Sequence, residues 1–145
     1  MLFSKLDFQI VTEIMTENQI SKILIEIFIK VHSQLGPGLL ESVYETAICY
    51  ELTKRSIPFK RQAPIPVYYD DIKMDMGFRA DIIVADKVVV EIKSIETVAP
   101  IHPKILITYL KLSKIKLGLL VNFNVTLIKN GITRLVNNLE DELIG

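Results

Sequence analysis

Apolar residues recur along the first third of the chain at steps of three and four. Ile20, Ile23, Leu24, Ile27, Phe28 and Val31 keep that spacing across residues 17–33, which predicts an amphipathic helix. Thr16 or Asn18 can cap its start. Gly36-Pro37-Gly38 ends it, because glycine admits positive φ and proline cannot continue the ladder. Val43, Ala47, Ile48 and Leu52 set a second helix across residues 40–55, stopped by Ser56-Ile57-Pro58. The period then shortens. Residues 59–69 are rich in β-branched and aromatic side chains, although Pro64 and Pro66 mark part of this run as an edge strand or an irregular approach. Asp70-Asp71 reads as a turn, and residues 78–85 and 88–95 as two strands. Pro100 opens a third helix reaching about residue 113, with Ile101, Ile105, Tyr109 and Leu112 on one side. Residues 117–123 form a short apolar run typical of a buried strand. Asn130-Gly131, a turn pair favoured in tight hairpins, predicts a hairpin of residues 125–128 and 132–136. The expected order is α-α-β-β-β-α-β-β-β, an α/β fold with helices flanking a mixed sheet whose middle is a β-β-α-β unit.

Composition narrows the class. A chain of 145 residues, half of them hydrophobic, suits one domain, residues 1–145, with one sizeable core. Lys5, Asp7 and Glu13 interrupt the N-terminal apolar residues, so no secretory signal is expected. No stretch approaches the roughly 20 apolar residues of a membrane span. The single Cys49 cannot form an intramolecular disulfide, and a cytoplasmic protein without membrane contact is the expectation. The formal net charge is zero, but it is unevenly spread. Residues 97–139 hold Lys104, Lys111, Lys114, Lys116, Lys129 and Arg134 with no acid, followed by Glu140-Asp141-Glu142. This segment is either an ordinary solvated face or phosphate-binding charge set beside an acidic pocket.

Candidate chemistry lies in Arg79-Ala80-Asp81 and Glu91-Ile92-Lys93. Glu91 and Lys93 are two apart on a strand and project to one face, while Ile92 points into the core. A three-residue loop, Ala85-Asp86-Lys87, pairs Val84 with Val88 and sets Asp81 opposite Glu91. A two-residue Asp86-Lys87 turn would put Asp81 on the other face and ask Lys87 for positive φ. Carboxylates facing each other at about 5 Å between Cβ atoms repel unless a cation sits between them or one takes up a proton. Oxygen ligands of this kind suit Mg²⁺ or Mn²⁺. Lys93 on the same face can orient or deprotonate an attacking water, as metal-assisted phosphodiester hydrolysis requires. A solvated sheet face bearing a surface ion pair is the competing reading.

The surrounding sequence adds a resemblance. Gly38-Leu39-Leu40-Glu41-Ser42-Val43-Tyr44 has the form G-x-x-E-x-x-Y. It follows Val31-His32-Ser33-Gln34-Leu35-Gly36-Pro37 and precedes Arg61-Gln62, Ala80-Asp81-Ile82-Ile83-Val84 and Val90-Glu91-Ile92-Lys93. Ile101-His102, Tyr109-Leu110-Lys111 and Leu117-Gly118-Leu119-Leu120-Val121-Asn122-Phe123 come next. On these residues, from about 23 to 136, the chain resembles the GxxExxY protein family of the PD-(D/E)XK nuclease superfamily. The resemblance implies a restriction-endonuclease-like core and places Glu41 with Asp81 and Glu91 at a metal. Tyr44 is then a hydrogen-bond donor to carboxylate or phosphate, or a tyrosine at the edge of the core. One departure stands out. Relatives usually carry glutamine four residues before the tyrosine of the third helix, and here Ile105 precedes Tyr109.

The leading expectation is a Mg²⁺- or Mn²⁺-dependent nuclease on DNA or RNA. Glu41, Asp81 and Glu91 hold metal and Lys93 assists the water. Tyr44, His102, Lys104, Tyr109 and Lys111 contact nucleic acid, with Lys114 and Lys116 extending the basic track. The alternatives are a nuclease-fold module that binds nucleic acid or protein without turnover, and an accessory subunit paired with a second copy or a partner protein. His32 reads as a packed or surface helix residue, and Cys49 as a core residue without an activating base.

Overall fold

The computed structural model describes residues 3–140, so Asp141 and Glu142 of the acidic tail lie outside the described residues. Three helices come first: α1 (Lys5–Ile14), α2 (Glu17–Leu35) and α3 (Glu41–Lys54). The first is not among the expected helices, although Leu6, Phe8, Ile10, Val11 and Ile14 recur at helical spacing; none of its residues is buried, and Val11 packs against the edge of the core. Its cap helps to hold it. Ser4 and Asp7 satisfy each other's backbone N–H groups in a capping box, and Thr12 donates to the Ala85 carbonyl at 3.1 Å. Thr16, rather than Asn18, caps α2 in the same manner with Gln19. Gly36 and Gly38 then take φ of 72° and 92°, the conformation that lets the chain turn into α3.

The sheet contains β1 (Phe59–Tyr69), β2 (Ile72–Val84), β3 (Val88–Lys93), β4 (Leu117–Asn122) and β5 (Ile132–Val136), side by side in sequence order. Helix α4 (Ile101–Ser113) crosses between β3 and β4, which run parallel; the other neighbours are antiparallel. On one face Ile82, Val84, Val90, Ile92, Leu119 and Val121 pack with Leu24, Phe28, Ile48 and Leu52 of α2 and α3. On the other, Ile83, Val89 and Leu120 pack with Leu106 and Leu110 of α4. Strands β3 and β4 are therefore covered on both faces, which explains their unbroken apolar runs. The restriction-endonuclease-like α/β core is as expected, a five-stranded mixed sheet flanked by helices.

The order of elements differs, being α-α-α-β-β-β-α-β-β. Residues 125–128 are not a strand. Ile128–Gly131 is a short 3-10 turn that leads directly into β5. A Cβ on Gly131 would lie 2.1 Å from the Asn122 carbonyl oxygen, so this glycine serves close packing against the end of β4, not a hairpin. Strand β1 keeps its pairing at Pro64, which faces Arg79, but its register shifts at Pro66, between Ile65 and Val67, an irregularity an edge strand tolerates. Strand β2 begins at Ile72, six residues before the expected start, because β1 continues to pair with it beyond the reach of β3.

Candidate active site at the end of β3

The β2–β3 register has Val84 facing Val88 and Ile82 facing Val90, as the three-residue loop predicts. Ala85 and Asp86 take φ of 51° and 56°, and the Lys87 N–H donates to the Val84 carbonyl at 2.9 Å. One step beyond Ile82 and Val90 the ladder gives way. There the Asp81 N–H donates to Glu91 Oε1 at 3.2 Å, and the Ile92 N–H donates to Asp81 Oδ2 at 2.8 Å. Each carboxylate takes the place of a backbone carbonyl where the two strands part. The same row continues into β1. Arg61 faces Ile82 and Ala63 faces Ala80, so Gln62 between them stands opposite Asp81. Its φ of 47° is left-handed, an uncommon conformation for a non-glycine inside a strand. The Gln62 amide donates to Asp81 Oδ1 at 3.4 Å and to Glu45 Oε1 at 2.6 Å.

Glu91 is 8% exposed, in a strand whose other residues before the terminal Lys93 are apolar. Burial and then the Asp81 charge push its carboxyl up to about 8, against the Asp81 N–H and Lys93, which pull it down. Asp81 is also raised, chiefly by burial and then by the charge of Glu45, against the Ile92 N–H, the Gln62 amide and Lys93. Glu45, itself buried, is gripped by Arg61 through Nε and Nη2 at 3.1 and 2.8 Å. Two hard-oxygen donors thus lie together with too little positive charge between them, the environment a divalent cation fits.

Glu41 opens α3, is exposed, and accepts from the Ser94 N–H at 3.3 Å, one residue past Lys93. The helix acid therefore reaches the same end of β3. Among the described residues, however, no three His, Cys, Asp or Glu side chains close on one point as metal ligands. Asn122 secures the chain after Lys93. Its amide accepts from the Ile95 N–H at 3.1 Å and donates to the Ile95 carbonyl at 2.9 Å.

Tyr44 points into the protein core. It is fully buried, stacks on Phe123 with ring centroids 4.2 Å apart, donates to the Gly36 carbonyl and accepts from the Leu39 N–H. Its hydroxyl ties the glycine loop to α3. On the α4 side a pocket of about 70 Å³ is lined by Glu91, Lys93, His102, Ile105, Leu106, Tyr109 and Leu120. His102 and Tyr109 therefore stand at the acids, and Tyr109 stacks on Phe78 at 3.6 Å between centroids. Its hydroxyl is raised by burial and then by the charges of Glu91 and Asp81. Lys104 and Lys111 are exposed and are not among the residues lining the pocket. At roughly 3.6 residues per turn they share a stripe on the other flank of α4, with buried Leu106 and Leu110 between.

Sequence reasoning left out Gln62, Glu45, Arg61 and Asn122 as site residues, although three of the four lie in segments that carry the family pattern. Glu45 had its own signal, an acid one turn after Glu41 on the same helix. His32 bonds the Val125 carbonyl at 2.7 Å. Burial pushes the Cys49 thiol up to about 12, so both residues are structural.

A five-stranded mixed sheet with helices on both faces, and paired acids at the end of a central strand, defines a nuclease-type α/β fold. Residues 18–135 match the family model of the PD-(D/E)XK nuclease superfamily, and the chain belongs to that superfamily. Members of this superfamily generally use divalent metal ions. No curated protein and no solved structure matches the chain. Among the described residues, no helix is long and apolar enough to cross a membrane.

Proposed function

We propose that this chain is a metal-dependent nuclease of the GxxExxY kind that hydrolyses phosphodiester bonds in DNA or RNA. The row Gln62–Asp81–Glu91, with Lys93 two residues on, carries the reading. Asp81 and Glu91 would hold Mg²⁺ or Mn²⁺, with Glu41 reaching in from α3. One or two carboxylates suffice for such an ion, water and substrate phosphate filling the rest. The bound ion supplies a water of lowered pKa and a polarised phosphoryl oxygen. Lys93 orients the attacking water and offsets charge on the phosphorus oxygens. Gln62 and the Arg61–Glu45 pair hold Asp81 in place. A lone buried cysteine suits a reducing, cytoplasmic setting, and we take residues 1–145 as one domain.

The test is calorimetric titration of Mn²⁺ into the protein beside Asp81→Ala and Glu91→Ala, both of which should abolish binding. A screen of DNA and RNA substrates follows, with Lys93→Ala as control. Metal-dependent cleavage that persists in both Glu91→Ala and Lys93→Ala would come from a contaminant and overturn the assignment. Ile105 in the pocket and, among the described residues, the lack of a third closed-in acid favour one other reading, a nuclease-fold module without turnover. That module would bind nucleic acid or protein equally well with or without divalent cation.

A further inference from the structure

Beyond the acids the sheet narrows to a ribbon of two strands. Strand β3 pairs with β2 from Ile82 to Val84, whereas β1 and β2 stay paired past Asp81 as far as Tyr69 and Ile72. The ribbon therefore projects from the end of β3 at which Asp81 and Glu91 meet. Its register shifts between Ile65 and Val67, where β1 advances two residues and β2 four. The extra residues lie in β2, so β1 alternates undisturbed. Ala63 and Ile65 pack on the α4 side with Leu106 and Leu110. Val67 and Tyr69 follow at steps of two on that same side, and their partners Met74 and Ile72 share it. This is also the side of the Glu91 pocket, whose Tyr109 stacks on Phe78 at the root of the ribbon.

The face so formed is apolar and open. Tyr69, Ile72 and Met74 are 69%, 63% and 42% exposed. A ribbon of two strands is marginal in water, and an apolar sheet face is ordinarily covered. A phosphate backbone does not suit it. Within residues 66–77 Lys73 is the one base, against Asp70, Asp71 and Asp75, and it already lies 4.0 Å from Asp75. Nucleobases do suit it, since every base has a π-face that stacks on an aromatic ring regardless of sequence. A duplex keeps those faces inside, whereas a single strand presents them. We propose, resting on the nuclease reading above, that this face is a base-stacking wall and that the substrate is single-stranded. With a phosphate at Asp81 and Glu91, the flanking bases pack against Val67, Tyr69, Ile72 and Met74, and Tyr69 supplies the ring. Tyr69 lies seven residues along β1 from Gln62, about 23 Å at the rise of a strand, so a dinucleotide at the acids falls short of it.

Fluorescence anisotropy in Mn²⁺ tests this, with Lys93→Ala as the parent protein so that bound strands stay intact. The better bound of a thymidine and a uridine oligonucleotide is compared with an abasic backbone and a duplex of the same length, and with a dinucleotide. The single strand should bind tightest. Tyr69→Ala should weaken it about tenfold or more and leave the abasic backbone and the dinucleotide unchanged. Tyr69→Phe keeps the ring and should match the parent. Ile72→Ser should also weaken the single strand, and it stands in if Tyr69→Ala lowers the unfolding midpoint. Duplex or abasic backbone bound as tightly as the single strand overturns the proposal. So does parental affinity in both Tyr69→Ala and Ile72→Ser; a dimer that Ile72→Ser then dissociates would assign the face to a second copy of the chain. A parent that takes up Mn²⁺ and binds no strand overturns the wall and leaves the metal site standing. Wild-type protein that takes up no Mn²⁺ and cleaves nothing, yet holds single strands through Tyr69, overturns the nuclease reading and leaves the wall.

Discussion

Glu91 is the residue at which the chain departs furthest from what stability alone would choose. Its carboxyl is held up to about 8 against an ordinary 4.5, so the metal-free folded protein takes up a proton that the unfolded chain has already lost. Where the native state binds the extra proton, stability falls as pH rises. In the presence of a chelator, the wild type should therefore lose stability between about pH 4.5 and 8. Glu91→Gln should remove most of that slope and be the more stable protein at the upper end, on the order of a few kcal/mol. Denaturant midpoints at a series of pH values check this; parallel curves for the two proteins would mean that Glu91 is charged and well solvated. This acid was legible in the sequence, as were Asp81 and Lys93, because a period of two in an apolar run leaves only one face for them. Gln62 was not, since left-handed φ inside a strand leaves no local mark. Tyr44 was misplaced for a different reason. Helical spacing gives the face of Glu41 and Tyr44 but not the depth, and the stack on Phe123 comes from a strand end about eighty residues away.

At the scale of elements, the helices and strands that bury an apolar stripe were visible, and those held by other means were not. Helix α1 has apolar residues at helical spacing, Leu6, Ile10 and Ile14 among them, and Val11 packs against the core. None of them is buried, however, and its cap and the Thr12 contact help to hold it. The failed hairpin is more instructive. Asn130-Gly131 has the composition of a tight turn, yet its glycine serves the close approach of the 3-10 turn to the end of β4. Tertiary contact overrode the local signal there. Gly131→Ala should accordingly destabilise the fold by about 1–3 kcal/mol through overpacking, since the added methyl meets a backbone carbonyl that cannot swing aside. That carbonyl belongs to Asn122, whose side chain fixes Ile95 beyond Lys93, so Mn²⁺ affinity should weaken as well. Chemical denaturation and calorimetry on the same preparation check both. A variant as stable as the wild type would show that the 3-10 turn can shift freely.

For the whole molecule, the uneven charge makes a claim about how a long substrate runs. Every Lys and Arg of residues 97–139 sits in an acid-free segment, but the structure divides that charge. The face of α4 bearing His102 and Tyr109 lies at the acids, whereas Lys104 and Lys111 lie on the opposite flank and Lys114 at its end. A helix of 13 residues is about 20 Å long, so a strand that leaves the pocket and follows these lysines must pass over α4. A dinucleotide would never reach them. Replacing Lys104 and Lys111 with alanine should leave Mn²⁺ affinity and dinucleotide binding unchanged. For a long oligonucleotide it should reduce the dependence of log affinity on log salt by about 1.4 in single strands and about 1.8 in duplex, two phosphate contacts' worth. The size of that change would also separate the two substrate forms. An unchanged slope would mean that the substrate leaves along the other side of the site, past the end of β1 and β2, and that the lysines of α4 are ordinary solvated charge.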